Sequence, residues 1–414
     1  MFSLSVITLS LTKIVFAGLS DVSWDGYEQT YINVLDKSCA SIRNKPGEEL
    51  SLAGYVLSQK MKNVSVYQNE VVNKELKIKK ILRNGKLKGL RYTFFERSLP
   101  KLYLVVSKKC EIEVARLIER DNSDRIKSIS SLSNDLKVKW FEEHVNPDVP
   151  ALNPPVGVKV ALIDTGVNYL IPRISARLSR VNERQLLGYD FEDEDNKPFD
   201  MDFVGSPFFP RHHGTSVASL FIKEAPKAQL VPYRFSRSDP CKFKDIVKHI
   251  NANAIKIVAI PMGSLKKDIW DCFYESASKH NHILFIVSAG NNGIDIDKKK
   301  VFPASFPLDN LVVVSSSTIF GTLPQGSNYG KVSVDFLIPA EHIEVIDHRA
   351  VRTLVSGSSY AVPRLAALVA RYLGKNPEAS VAEIRRLLIA RAVEVDDKIV
   401  QYGWIPDPLD DYLF

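Results

Sequence analysis

Val158-Lys-Val-Ala-Leu-Ile-Asp-Thr-Gly-Val167 is an apolar run that stops on an aspartate and a glycine. Its first part, Val158 to Ile163, reads as a buried strand, and Asp-Thr-Gly reads as the turn that ends it. The same alternation continues downstream. Ala228–Phe235, Ile255–Ile260, His282–Val287 and Asn310–Ser315 are short apolar strands. Helical spacing is predicted over Phe243–Ala254 and Ile269–Asn281. Short apolar strands separated by helices imply an α/β fold, a doubly wound, mainly parallel sheet covered on both faces. Function in such sheets gathers at the carboxyl ends of the strands.

Polar motifs stand at those ends. Asp164 caps the first strand, where it could orient a histidine or simply serve the turn. Arg211-His-His-Gly-Thr-Ser-Val-Ala-Ser-Leu220 places His213 at the start of an apolar helix, a suitable position for a general base. Val287-Ser-Ala-Gly-Asn-Asn-Gly293 puts Asn291 after a glycine that permits a sharp turn, and its carboxamide could stabilise an oxyanion. Val355-Ser-Gly-Ser-Ser-Tyr-Ala-Val-Pro-Arg-Leu-Ala-Ala-Leu-Val-Ala370 opens a long alanine-rich helix with two serines. By itself a serine there reads as a helix cap. The helix dipole also suits a nucleophile whose transition state carries negative charge. Pro363 is expected in the first turn of this helix.

Asp-Thr-Gly, His-Gly-Thr, Ala-Gly-Asn and Gly-Ser-Ser-Tyr-Ala-Val-Pro, in that order, resemble the subtilisin-like serine proteases. The resemblance covers roughly 157–395. It implies a triad of Asp164 (orienting), His213 (general base and acid) and Ser359 (nucleophile), with Asn291 and the Ser359 N–H as oxyanion donors. It implies substrate binding along Met262, Gly263, Ala289 and Gly290, with specificity set near these residues and Phe302. Protein or peptide substrates are expected, and no required cofactor. The acidic loop with Asp190, Asp193, Asp195 and Asp200 resembles one that the family carries, and is equally a candidate calcium site or a solvated loop. Asp295 and Asp297 could favour a basic residue before the cut, or be solvated loop acids. Departures from the family pattern are Ser358 and Tyr360 around the nucleophile, Ser216 where histidine is frequent, and Pro261 before Met262-Gly263.

The chain ahead of this region has a different character. Asn146-Pro-Asp-Val-Pro-Ala-Leu-Asn-Pro-Pro-Val156 carries four prolines and marks a linker. The domains expected are a signal peptide over 1–17, an α+β module over 18–145, the linker over 146–156, the catalytic domain over 157–404 and a tail over 405–414. Strands are predicted within 54–106 and a helix over Glu111–Arg120. The family relationship puts the 18–145 module in the position of an inhibitory propeptide. Residues 51–150 hold 20 Lys+Arg against 12 Asp+Glu, which accounts for the whole net charge of +7. The lysines alternate with apolar residues, so a sheet with one wet face is favoured over nucleic-acid binding. A basic module that binds polyanions and a catalytically silent scaffold are the rival readings.

The 1–17 segment is apolar and ends Val15-Phe-Ala17, like a secretory signal peptide without a positive start. A secreted or periplasmic monomer with no membrane span is expected. Cys39, Cys110, Cys241 and Cys272 allow three disulfide connectivities or buried free thiols. Proximity along the chain favours Cys39–Cys110 and Cys241–Cys272.

Overall fold

The computed structural model describes residues 20–21, 28–44, 54–69, 73–395 and 399–412. The proposed signal segment, 1–17, lies outside the described residues. The chain divides into two compact units, one of Met1–Val145 with Gly205–Phe209, the other of Asn146–Val204 with Pro210–Phe414.

Among its described residues, the first unit is a nine-stranded antiparallel sheet with one helix, Glu28–Asn44. Its strands run from Val56–Lys60 to Val138–His144 in chain order, with Ser20–Asp21 added beside the last. Alternation sets the faces. In Lys74–Arg83, Leu76 and Ile78 are buried while Lys77 and Lys79 are exposed. Asn84 and Gly85, both at positive φ, turn that strand into Lys86–Glu96. Helix residues Tyr31, Val34, Leu35 and Cys39 join the buried face, and Tyr31 meets Phe94 edge-on at 4.8 Å. Cys39 is bonded to Cys110.

One expectation fails here. Glu111–Arg120 is not a helix; Ile112–Arg120 is a strand between Leu99–Ser107 and Ile126–Leu132. Ile112, Ala115 and Ile118 fit a helical spacing, but buried Ala115 and Leu117 recur every second residue, and β-branched Ile112 and Val114 favour the extended form.

The second unit contains an eight-stranded sheet, parallel throughout. Its order is Tyr189–Asp190, Gln229–Arg234, Lys159–Asp164, Ile257–Ile260, Leu284–Ser288, Leu311–Ser317, Phe336–Pro339, Gly403–Trp404. The chain goes from Lys159–Asp164 to one neighbour and then returns to the other, so a topological switch point lies at Asp164. Phe243–Ala252 and Asp271–Ala277 pack on one face, against Val258, Ile260, Phe285 and Val287. Ser358–Lys375 crosses the sheet beside Gly214–Glu224. Its alanines Ala361, Ala366 and Ala367 are fully buried, which lets the helix lie close to the strands. Cys241 is bonded to Cys272.

The second of these helices is shorter than predicted. It ends at Ala277, because Asn310 Nδ2 donates to the carbonyls of Ala277, His280 and Ile283 at 3.0–3.1 Å and holds the following residues as a turn. The proline-rich segment has no regular structure but is tied down: Tyr169 donates to Pro147 O at 2.6 Å and Arg180 to Pro150 O at 3.0 Å. Residues 405–412 are similarly held, with Arg391 donating to the carbonyls of Asp407 and Asp410 and Arg371 paired with Asp411.

Candidate active site

Every motif residue lies where a strand ends or a helix begins. Asp164 is the last residue of its strand and is 1% exposed. His213 is the N-cap of Gly214–Glu224. Gly214 is required by proximity: a Cβ there would stand 2.1 Å from Gly166 O and 3.1 Å from Asp164 Cβ. This approach brings His213 Nδ1 within 2.8–2.9 Å of both Asp164 oxygens. Nδ1–H then donates to the carboxylate and Nε2 is left as the basic nitrogen. Burial disfavours the imidazolium, but the Asp164 carboxylate, its hydrogen bond and the nearby Asp200 outweigh it, and the His213 pKa is raised.

Thr165 and Asp200 build the frame of this pair. Thr165 Oγ1 accepts the N–H groups of His213 and Gly214 at 3.2 and 3.0 Å and donates to Asp200 Oδ1 at 2.6 Å. Asp200 also accepts from the N–H groups of His213 and Thr215 at 3.1 and 2.9 Å. Burial opposes the charge of Asp200, yet His348, His212 and Thr165 hold its carboxyl below the ordinary range. Asp200, read from sequence as a candidate calcium ligand, is therefore a carboxylate cap on the helix that carries His213.

The other acids of the loop are also engaged. Asp190 pairs with Arg234 at 2.8 Å and accepts from the N–H groups of Glu192 and Asp193. Asp193 pairs with the same guanidinium. Asp195 accepts from Lys197 N and from Asn146 Nδ2. Asp190, Asp193, Asp195 and Asp200 form no converging ligand set among the described residues, and Arg234 supplies the positive charge in their midst. Asp295 and Asp297 are spent as well, the first on Lys298 at 3.0 Å, the second on the N–H groups of Val332 and Ser333.

Ser359 is the second residue of Ser358–Lys375, after Gly357 at φ 125°. Its hydroxyl donates to Pro261 O at 3.0 Å, and no hydrogen bond joins it to His213. Rotation about one Cα–Cβ bond re-aims this hydroxyl. Pro363 is the sixth residue of the helix, deeper than expected, so the Ser359 carbonyl lacks the amide donor that residue would otherwise supply. Ser358, fully buried, has its own task. Its N–H and hydroxyl both donate to Asn291 Oδ1, at 2.8 and 2.9 Å, and its oxygen lies 2.7 Å from Ser288 Oγ. With Oδ1 held, Asn291 Nδ2 is the end of the carboxamide left without a partner among the described residues.

Met262 and Gly263 follow the Ile257–Ile260 strand, and Ala289 and Gly290 follow the adjacent Leu284–Ser288. Asn328 supports the second segment, donating from Nδ2 to Ala289 O at 2.8 Å and from its backbone N–H to Gly290 O at 3.0 Å. Tyr360 stands at 6.0 Å from the His213 ring, centroid to centroid. Burial first, then the Asp164 and Asp200 carboxylates, push its phenol up to about 12. The supporting roles of Thr165, Ser288 and Asp200 were not read from sequence; only the adjacency of Thr165 to Asp164 hinted at one.

Residues 156–404 match the subtilase family profile. The chain belongs to the subtilase family. It is 28% identical over 228 residues to a thermophilic serine proteinase of Bacillus sp. (strain AK1), covering 52% of this chain and 51% of that protein. It is 26% identical over 242 residues to alkaline serine exoprotease A of Vibrio alginolyticus, covering 57% and 42%. The crystal structure of a cold adapted subtilisin-like serine proteinase superposes with a TM-score of 0.50 at 25% identity, covering 62% of this chain and 90% of that one. This subtilase thus spans about half the length of the sequence relatives it matches.

Proposed function

We propose that this subtilase is a serine endopeptidase. The observation that carries the reading is the Asp164–His213 pair, with Nε2 left basic, beside a helix N-terminus that bears Ser359. Substrate would lie extended along Met262 and Gly263. Ser359 Oγ would leave Pro261 O and attack the scissile carbonyl while His213 Nε2 takes its proton. Asp164 would hold the imidazole and balance its charge. Asn291 Nδ2 and the Ser359 N–H would receive the oxyanion. His213 would return the proton to the leaving amine, and water would release the acyl group by the reverse sequence.

Casein hydrolysis by the wild type and by Ser359→Ala tests this. A loss of about a million-fold in kcat, the size known for a subtilisin nucleophile, is expected. Equal turnover by the two proteins would remove Ser359 from the mechanism, and no turnover by either would favour a silent scaffold. Asn291→Ala is expected to lower kcat by about a hundred- to a thousandfold, with KM little changed.

The 18–145 module is assigned an inhibitory and folding role, from its position before the family match. Parallel sheets form slowly because their contacts are non-local, which gives such a module a task. Secretion is supported by the signal-like 1–17 segment and by two disulfides, which persist in oxidising compartments. No described helix is long and apolar enough to cross a membrane. Mass spectrometry of the secreted, fully active protein should find the module cleaved off; its retention would argue against the role.

A further inference from the structure

The two segments beside Ser359 present glycines to one and the same methyl group. A Cβ on Gly263 would lie 3.4 Å from Val301 Cγ1 and 3.0 Å from Phe302 O. A Cβ on Gly290, which sits at φ +97°, would lie 3.8 Å from the same Val301 Cγ1. Val301 therefore fills the space between the Met262-Gly263 wall and the Ala289-Gly290 wall. It is 4% exposed and packs with Ala289, Ile296 and Ala304. Its backbone is anchored on both sides. Val301 N donates to Ser305 Oγ at 3.2 Å, and Phe302 exchanges two 2.8 Å hydrogen bonds with Ser264, the residue after Gly263. The backbone that carries the methyl cannot withdraw without breaking these hydrogen bonds.

The slot between the walls opens toward the reacting groups. Pro261, whose carbonyl holds the Ser359 hydroxyl, begins one wall, and Asn291 follows the other. A substrate whose scissile carbonyl met Ser359 with its oxygen toward Asn291 would place the side chain on its acyl side between the walls. We propose that Val301 closes this subsite to large side chains, so that the enzyme cuts after small residues such as Ala, Ser or Gly and discriminates against aromatic and long basic ones. The proposal rests on the peptidase reading of the same site. Asp295 and Asp297, the acids considered from sequence for a basic side chain, are engaged by Lys298 and by the N–H groups of Val332 and Ser333.

The test compares tetrapeptide p-nitroanilides that differ only in the residue before the cut, with Ala, Phe or Arg. The wild type should favour Ala over Phe in kcat/KM by about a hundredfold, the scale on which pocket size discriminates. Val301→Gly, with Val301→Ala as a milder companion, should shift the Phe-to-Ala ratio toward Phe by about tenfold or more. A wild type that cuts after Phe or Arg as readily as after Ala overturns the proposal, as does an unchanged ratio in a folded variant. Diisopropyl fluorophosphate labelling separates the two readings. A labelled Ser359 with the wrong preference defeats only the role of Val301; no labelling and no cleavage of any peptide defeats the peptidase reading too.

Discussion

In the proposed mechanism His213 is the general base, and its surroundings set the pH at which it would work. Asp164 and Asp200 raise its pKa against burial, so the neutral base appears only above the ordinary imidazole range. The acid limb of kcat/KM is expected above about pH 6.5, the unperturbed value. Asp164→Asn should shift that limb toward acid and lower kcat by about ten-thousandfold, as in other Ser-His-Asp enzymes. A pH–rate profile of both proteins checks this. The sign for stability follows from the same shift. The folded pKa lies above the unfolded one, so the stabilising increment is complete below about pH 6.5 and is lost as pH rises through the folded value. Tyr360 walls the ring that must stay in register. Tyr360→Ala is expected to lower kcat by about ten- to a hundredfold at similar KM, with Tyr360→Phe restoring most of it. Equal kcat in all three would show that the ring does not position His213.

At the scale of the element, the entry to Ser358–Lys375 is the critical turn. Gly357 holds φ 125°, and a Cβ there would approach Asn291 Oδ1 to 3.1 Å. Gly357→Ala should strain the backbone by about 1–3 kcal/mol and displace the asparagine, lowering both melting temperature and kcat. The following helix, Val381–Arg391, begins with a reciprocal cap in which Ser380 and Glu383 exchange hydrogen bonds. Ser380→Ala should cost about 1 kcal/mol without touching kcat, which separates stability from catalysis in the same assay. The elements also differ in how openly their sequences declare them. Short, wholly apolar strands such as Ile257–Ile260 have one sensible reading in a parallel sheet. Ile112–Arg120 does not, because half its apolar spacing fits either period; hydrogen bonds to the strands just before and just after it decide it. Glu28–Asn44 was legible in principle, since Tyr31, Val34, Leu35, Ser38 and Cys39 follow helical spacing.

At the scale of the molecule, buried charge and crosslinks govern stability. Arg234, 5% exposed, is the partner of fully buried Asp190. Burial first, then Asp193, against the pull of Arg234, brings the Asp190 pKa up to about 6. Arg234→Ala should cost about 3–5 kcal/mol by leaving that carboxylate unpaired. Its folded pKa would rise further, so the deficit should be smaller at pH 5, where Asp190 is protonated, than at pH 8. Denaturant titrations at the two pH values check this, and an equal deficit would mean that Asp190 carries no such strain. Cys39–Cys110 closes a separation of 71 residues, and opening it should cost the first unit about 4 kcal/mol on the chain-entropy account.

The sequence by itself determined the parallel α/β core and the family, because strand periodicity and four short motifs in fixed order are local or nearly local signals. It also named Asp164, His213, Asn291 and Ser359 as candidates. What only the tertiary structure decided is who faces whom. Asp200 caps the histidine helix, because the Thr165 hydroxyl and two backbone N–H groups converge on it there. Ser358 orients Asn291, and Val301 fills the slot between two glycines. These pairings join residues up to 67 positions apart. Only the folded chain brings them within hydrogen-bond or van der Waals range, where the interactions have any strength.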